Sequence, residues 1–273
     1  MKENYERYAC GEADAERFAR IAREVTAAAK GEYSGGDAGV GVLNEKRMHA
    51  AIKKFICADG SFHEQRPLTG GRGTKKYVAD VLAGGEIYEI QTGSFWPLRK
   101  KLEWYAANTG YHVTVVHPVA VRRRIVWIDP ESGETTPSPR RAPARRAADV
   151  LPELVYISEL AAEGRVGVEL LLIEAEEYRF LDGWARGGKR GSSRFEMLPV
   201  ALMGRVRLEL PEDYADLLAP ELYGHEFTAA EFARLMHFRS RPAYLALGAL
   251  TVLGVARVSA EERPKRYILT GEH

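Results

Sequence analysis

The sequence predicts an α/β protein of the α+β kind, with a central mixed sheet flanked by helices and a small helix–turn–helix–hairpin unit after it. Three observations predict this. Two apolar-rich runs flank Gly84-Gly85 within residues 76–91, the signal of a strand, a tight turn and a returning strand. Helical spacing over 95–107 is followed by strand-like runs at 111–117 and 122–128. Thr228-Ala229-Ala230-Glu231 has the capping-box spacing, and a second helix and two short strands follow it.

The elements before the hairpin are read from their periodicity. Phe18, Ile21, Val25 and Ala28 share one face of a helix over 12–30. A glycine-rich loop over 31–41 leads to a second helix at 43–57, with Leu43, Met48, Ala51, Ile52, Phe55 and Ile56 on its apolar face. Glu45 stands four residues before His49 and seven before Ile52, so it borders that face. A strand near 62–68 and a Gly/Lys loop at 70–76 precede the hairpin.

Beyond the hairpin, Phe95, Leu98, Leu102 and Tyr105 form the buried side of a helix, leaving Arg99, Lys100 and Lys101 exposed. Residues 129–148 turn rich in Pro and Arg and read as a basic linker or arm. A helix at 149–161, a strand at 166–173 and a basic glycine-rich loop at 183–194 follow, and 195–209 suits either strand or helix. Phe227 and Phe232 are placed as a hydrophobic staple around the capping box. Arg239-Ser240-Arg241-Pro242 opens the last helix with Pro in its first turn. Strands at 255–259 and 265–270 complete a helix–turn–helix–hairpin pattern, that of a winged helix. The expected organisation is an N-terminal helix at 1–30 on the core, the core at 31–135, a linker and intermediate α+β region at 136–215, and a winged helix at 216–273.

Bulk properties narrow the function classes. The 273 residues are 45% apolar and 28% charged, as in a soluble globular protein with room for more than one domain. A net charge of +1 makes any nucleic-acid surface a local one. Cys10 and Cys57 form neither a disulfide framework nor a metal spacing, and a reducing compartment is expected. The charged N-terminus has no apolar signal segment, and Leu245–Ala256 falls short of the ~20 residues of a membrane span. The expectation is a cytoplasmic protein without a membrane partner.

The chemistry-bearing residues interrupt the hairpin. Glu89 and Gln91 share a strand face with Ile87, while Tyr88 and Ile90 take the other. Asp80 shares its face with Val78 and Leu82. A lone buried carboxylate is costly, and two brought together repel, which a divalent cation relieves. Mg²⁺ takes one or two carboxylates and keeps several waters. Bound there, it activates water and neutralises a phosphodiester. Lys75, Lys76, Arg99, Lys100 and Lys101 are placed to hold phosphates. His49, His112 and His117 read as structural, without a carboxylate or Cys partner at metal spacing. Neither glycine loop has the context of a nucleotide-binding motif.

At these residues the chain resembles the PD-(D/E)XK, or restriction-endonuclease-like, nuclease superfamily. The order helix, three strands, helix, strand over about 43–117 matches that core. The resemblance implies Glu45, Asp80, Glu89 and Gln91 as catalytic positions and Asp80, Glu89 and Ile90 as metal positions. The metal would be Mg²⁺ or Mn²⁺, and the activity hydrolysis of DNA phosphodiester bonds. Gln91 stands where the family's lysine usually does, so a cation gives way to a neutral hydrogen-bonding amide. The family implies DNA as partner, and its phosphates are expected at Lys75, Lys76, Arg99 and Lys100 near the carboxylates, at Arg140 and Arg141 in the Pro-rich segment, and at Arg239 and Arg241 at the start of the last helix. The alternative is a non-catalytic DNA-binding or regulatory protein that keeps the fold. A homodimer or protein partner on the winged helix is a third expectation, because its second helix is nearly free of basic residues.

Overall fold

The computed structural model describes residues 5–27, 46–69, 77–181, 184–185, 189–190, 192–260 and 263–271. Helix α1 is Glu12–Ala27 and α2 is Lys46–Ile56. Strands β1 (His63–Gln65), β2 (Ala79–Ala83) and β3 (Glu86–Ile90) follow, then α3 (Arg99–Asn108). Next come β4 (His112–Ile128) and β5 (Thr135–Arg141). A 3-10 helix at Ala147–Tyr156 leads to α4 (Ser158–Ala162) and β6 (Val166–Phe180). The short β7 (Trp184–Ala185) and β8 (Lys189–Arg190) pair with each other before β9 (Arg194–Leu208). The chain ends with α5 (Pro211–Ala215), β10 (Phe227–Thr228), α6 (Ala229–Leu235), α7 (Ser240–Val252), β11 (Ala256–Ala260) and β12 (Arg266–Leu269).

The central sheet has seven strands in the order β1-β2-β3-β4-β6-β9, with β5 on β4. It is mixed, since β2 and β3 are antiparallel while β3 and β4 are parallel. The parallel pair needs a crossover, which α3 supplies. A mixed sheet flanked by helices is therefore the architecture, as the sequence predicts at that level.

Two local readings are corrected and an open one is decided. The runs at 111–117 and 122–128 belong to one strand, β4. Pro118 separates them in sequence, but its missing N–H falls between the rungs to β3, which reach Val116, and those to β5, which begin at Arg124. The basic arm contains strand β5, antiparallel to β4 with Pro137 opposite Val126. Asp129 makes the turn between them, its Oδ1 accepting the Glu131 and Ser132 amides at 2.9 and 2.8 Å. The ambiguous run at 195–209 is strand β9.

The chain divides into two compact units, each assembled from three segments. One holds Met1–His63, Pro118–Arg146 and Leu171–Val206. Within it, α1 and α2 pack through Phe18 and Phe55, edge to face at 5.3 Å, with Ile21, Ala22, Met48, Ala51 and Ile52 buried around them. Asp14 of α1 pairs with Arg205 of β9 at 2.7 Å.

The other unit holds Glu64–His117, Ala147–Leu170 and Arg207–His273. Here α7 packs its Ala243, Ala246, Leu247, Ala249 and Leu250 face chiefly on the 3-10 helix and also on α6. The capping box is formed, with the Thr228 amide 2.7 Å from Glu231 Oε2 and the Glu231 amide 3.2 Å from Thr228 Oγ1. Phe227 and Phe232 stack at 6.0 Å, as the staple reading requires. Strands β10, β12 and β11 form a separate three-stranded sheet in that order. Among the described residues no helix is long and apolar enough to cross a membrane.

Candidate active site

The β2–β3 hairpin turns on Gly84 and Gly85, both at positive φ (62° and 80°), the backbone a two-residue hairpin turn of this kind needs. Its register pairs Val81 with Tyr88, Leu82 with Ile87 and Ala83 with Glu86. Asp80 and Glu89 are the next residues beyond that register, and by alternation both take the face of Leu82 and Ile87. The Ile90 amide donates to Asp80 Oδ2 at 2.8 Å, which fixes the Asp80 carboxylate beside β3.

Helix α3 supplies the partners of Glu89. Glu89 is 1% exposed. Its Oε2 accepts from the Lys101 ammonium at 2.6 Å and its Oε1 from the Tyr105 hydroxyl at 3.0 Å. Lys101 and Tyr105 stand four residues apart and so on one helix face. Burial pushes the Glu89 carboxyl up to about 7; Lys101 opposes this, and the charge of Asp80 adds to it. Burial also raises the Tyr105 phenol, with Glu89 adding to the shift. The arrangement is a coupled carboxylate pair with a cation on its more buried member.

Lys101 is the residue that helical spacing alone misplaces. The sequence puts it with Arg99 and Lys100 on the exposed side, yet it is 19% exposed and bound to Glu89. Its ammonium lies 5.9 Å from the Tyr105 ring centre, so a polar head is delivered into an apolar face. The signal available in the sequence was its position between Leu98 and Tyr105.

Gln91 does not face the carboxylates with its amide. Its Nε2 donates to the Ser94 carbonyl, and its own carbonyl lies against His117 Nδ1. Arg99 is engaged by Glu103 on its own helix at 2.8 Å, and Lys100 is exposed. Arg239 and Arg241 are exposed at the start of α7. Glu45, Lys75 and Lys76 lie outside the described residues. Arg140 and Arg141 fall in β5, where their side chains are not described. Among the described residues no group of three or more His, Cys, Asp or Glu is arranged to hold a metal.

The opposite face of the hairpin carries a second polar group. Glu86 Oε1 lies 3.0 Å from His112 Nδ1 and accepts from Thr114, while its Oε2 accepts from Tyr88 at 2.9 Å. His112 chiefly, with Thr114 and Tyr88, holds the Glu86 carboxyl down at about 2. His112 thus has a carboxylate partner, Glu86, that lies outside any metal-ligand spacing in the sequence. The parallel β3–β4 register places Glu86 beside His112, across 26 residues of sequence.

A family model described as "Domain of unknown function (DUF8091)" matches residues 46–209 of the chain. No curated protein and no solved structure matches it.

Proposed function

We propose that this chain, which belongs to the DUF8091 family through residues 46–209, is a metal-dependent DNA endonuclease of restriction-endonuclease-like fold with a C-terminal winged helix. The observation that carries the reading is that Asp80, held by the Ile90 amide, and Glu89 share one face of the β2–β3 hairpin, with the Lys101 ammonium 2.6 Å from Glu89. The element order α2, β1, β2, β3, α3, β4 supports the PD-(D/E)XK resemblance.

The donor set suits a hard cation. Asp80 helps to raise the Glu89 carboxyl, so the two charges already oppose each other, and a divalent ion relieves that. Asp80 and Glu89 would hold it. When bound, such an ion makes a coordinated water more acidic and neutralises charge on a phosphodiester. Lys101 supplies the cation that Gln91 lacks, delivered from α3 rather than from β3. Tyr105 orients Glu89 by its hydrogen bond, and the Ile90 amide orients Asp80. Gln91 shapes the turn that follows, through Ser94.

The test is cleavage of plasmid and branched DNA with Mg²⁺ or Mn²⁺. Asp80→Ala is expected to lower the rate by at least ~100-fold, since losing a ligand removes the metal's transition-state stabilisation. Lys101→Ala is expected to lower it similarly, with partial rescue in Lys101→Arg. Equal cleavage by the native chain and Asp80→Ala would sink the assignment.

One observation favours a second reading, a DNA-binding protein that has lost the chemistry. Both Glu89 oxygens are already engaged, by Lys101 and Tyr105. That reading predicts salt-dependent DNA binding, from counterion release, without cleavage in Mg²⁺. Helices α6 and α7 followed by β11 and β12 support the winged-helix assignment. The apolar face of α7 is buried, so DNA contact is assigned to Arg239 and Arg241 at its start.

A further inference from the structure

The two faces of strands β4 and β6 compensate their charges differently. Arg122, Arg123 and Arg124 are consecutive in β4 and therefore alternate in facing. On one face Arg122 meets Glu174 at 4.0 Å and Arg124 meets Glu176 at 3.8 Å. On the other face three guanidiniums meet Glu177. Arg123 Nη1 lies 3.0 Å from its Oε2. Arg179 donates to Oε1 from Nη2 at 2.8 Å and from Nε at 3.0 Å. Arg194 Nε lies 3.1 Å from the same oxygen. Glu177 is 1% exposed, so the three guanidiniums are anchored at a buried point.

Other donors of the cluster reach neutral acceptors: Arg123 Nη2 donates to the Pro143 carbonyl at 3.1 Å, and Arg179 Nη1 lies 3.4 Å from Ser192 Oγ. Burial holds the Arg123 guanidinium down; Glu177 opposes that, while Arg179, Arg194 and Arg145 add repulsion. Arg179 is half-buried and Arg194 is exposed, so the guanidiniums reach from the buried carboxylate to the surface. A neutral guest would leave the repulsion in place, whereas an oxyanion relieves it and accepts the planar guanidinium donors two at a time.

We propose that Arg123, Arg179 and Arg194 form a phosphate-binding site that takes a free phosphate or the phosphodiester of a nucleic-acid backbone, with Glu177 as the buried carboxylate that fixes the three guanidiniums. The proposal is independent of the hairpin chemistry, since none of these residues belongs to the Asp80–Glu89 site.

The test is thermal unfolding of the full chain in EDTA, comparing inorganic phosphate with chloride at matched ionic strength. Phosphate at about 10 mM is expected to raise the midpoint by roughly 2–4 °C over chloride, the linkage expected for a millimolar site. Arg179→Gln/Arg194→Gln is expected to lose that rise, and Arg122→Gln, on the opposite face, to keep it. Equal midpoints in the two anions, or a rise retained in the double variant, would overturn the site. Should the double variant misfold, as circular dichroism would report, Arg194→Gln alone decides the matter in the same way: a diminished rise supports the site and an undiminished one overturns it. A 30-residue oligonucleotide, followed by anisotropy in EDTA, separates the sources. Weaker binding to the double variant assigns the site to the phosphodiester, and unchanged binding assigns it to free phosphate. Both results support the phosphate site, and neither depends on cleavage, so they stand apart from the outcome at Asp80.

Discussion

Glu89 shows how burial and partners compete at a single side chain. Its carboxyl sits at about 7 in the fold against 4.5 ordinarily, with burial as the leading cause. The folded chain therefore holds this proton more tightly than the unfolded one. Stability is present below about 4.5 and falls as pH rises from there to about 7. Glu89→Gln is expected to flatten that decline, by roughly 1–3 kcal/mol between pH 4.5 and 8, read from urea unfolding at several pH values. An unchanged slope would show that Glu89 is ionised throughout. Glu86 has the opposite sign. Its folded value of about 2 means stabilisation that is present above 4.5 and lost as pH falls toward 2. Lys101→Ala leaves a buried carboxylate without its cation, and a loss of about 3–5 kcal/mol is expected from the same unfolding curves.

At the scale of elements, the hairpin is the one most fully written in the sequence. Gly84 and Gly85 alone of its residues adopt positive φ, and among the described residues nothing lies within 4 Å of where a Cβ would stand at either. The cost of replacing them is thus conformational rather than steric. Gly85→Val is expected to lower stability by about 1–2 kcal/mol, since a branched side chain is strained in the left-handed region. Gly84→Asn is expected to be nearly neutral, because Asn tolerates it. Thermal melts of the two variants check this, and equal losses would show that the turn type is wrong. The β4 and β5 strands were less legible because prolines interrupt them. Pro118 lies between two stretches of pairing, and Pro137 and Pro139 lie on a strand bound to β4 at the rim of the path, positions where proline is tolerated.

Across the whole molecule a net charge of +1 conceals strongly local charge. Basic groups gather at the Glu177 cluster and at the start of α7, so an average over the chain says little about its partners. Under the winged-helix reading, Arg239→Gln/Arg241→Gln should reduce the slope of log affinity against log salt by up to about 1.8, two phosphate contacts' worth. Anisotropy titrations between about 50 and 200 mM salt measure it, and an unaltered slope would remove the α7 start from the DNA interface. The buried Ala243–Leu250 face explains why the second helix lacks basic residues: it is a packing surface of its own unit, lying chiefly on the 3-10 helix at Ala147–Tyr156.

What the sequence alone determined here is local. Alternation and the Gly-Gly turn set Asp80 and Glu89 on one hairpin, capping residues set the start of α6, and helical spacing marked α1, α2 and α3. Tertiary structure decided which groups those carboxylates meet. Lys101 was legible as a basic helix residue, but its contact with Glu89 depends on α3 crossing back over its own hairpin. Glu86 with His112, and Glu177 with three arginines from three strands, depend on which strands are neighbours. Periodicity fixes the direction a side chain takes from its own element within a few residues. The partner it finds there comes from distant parts of the chain, selected by burying the most apolar surface while leaving the fewest charges alone.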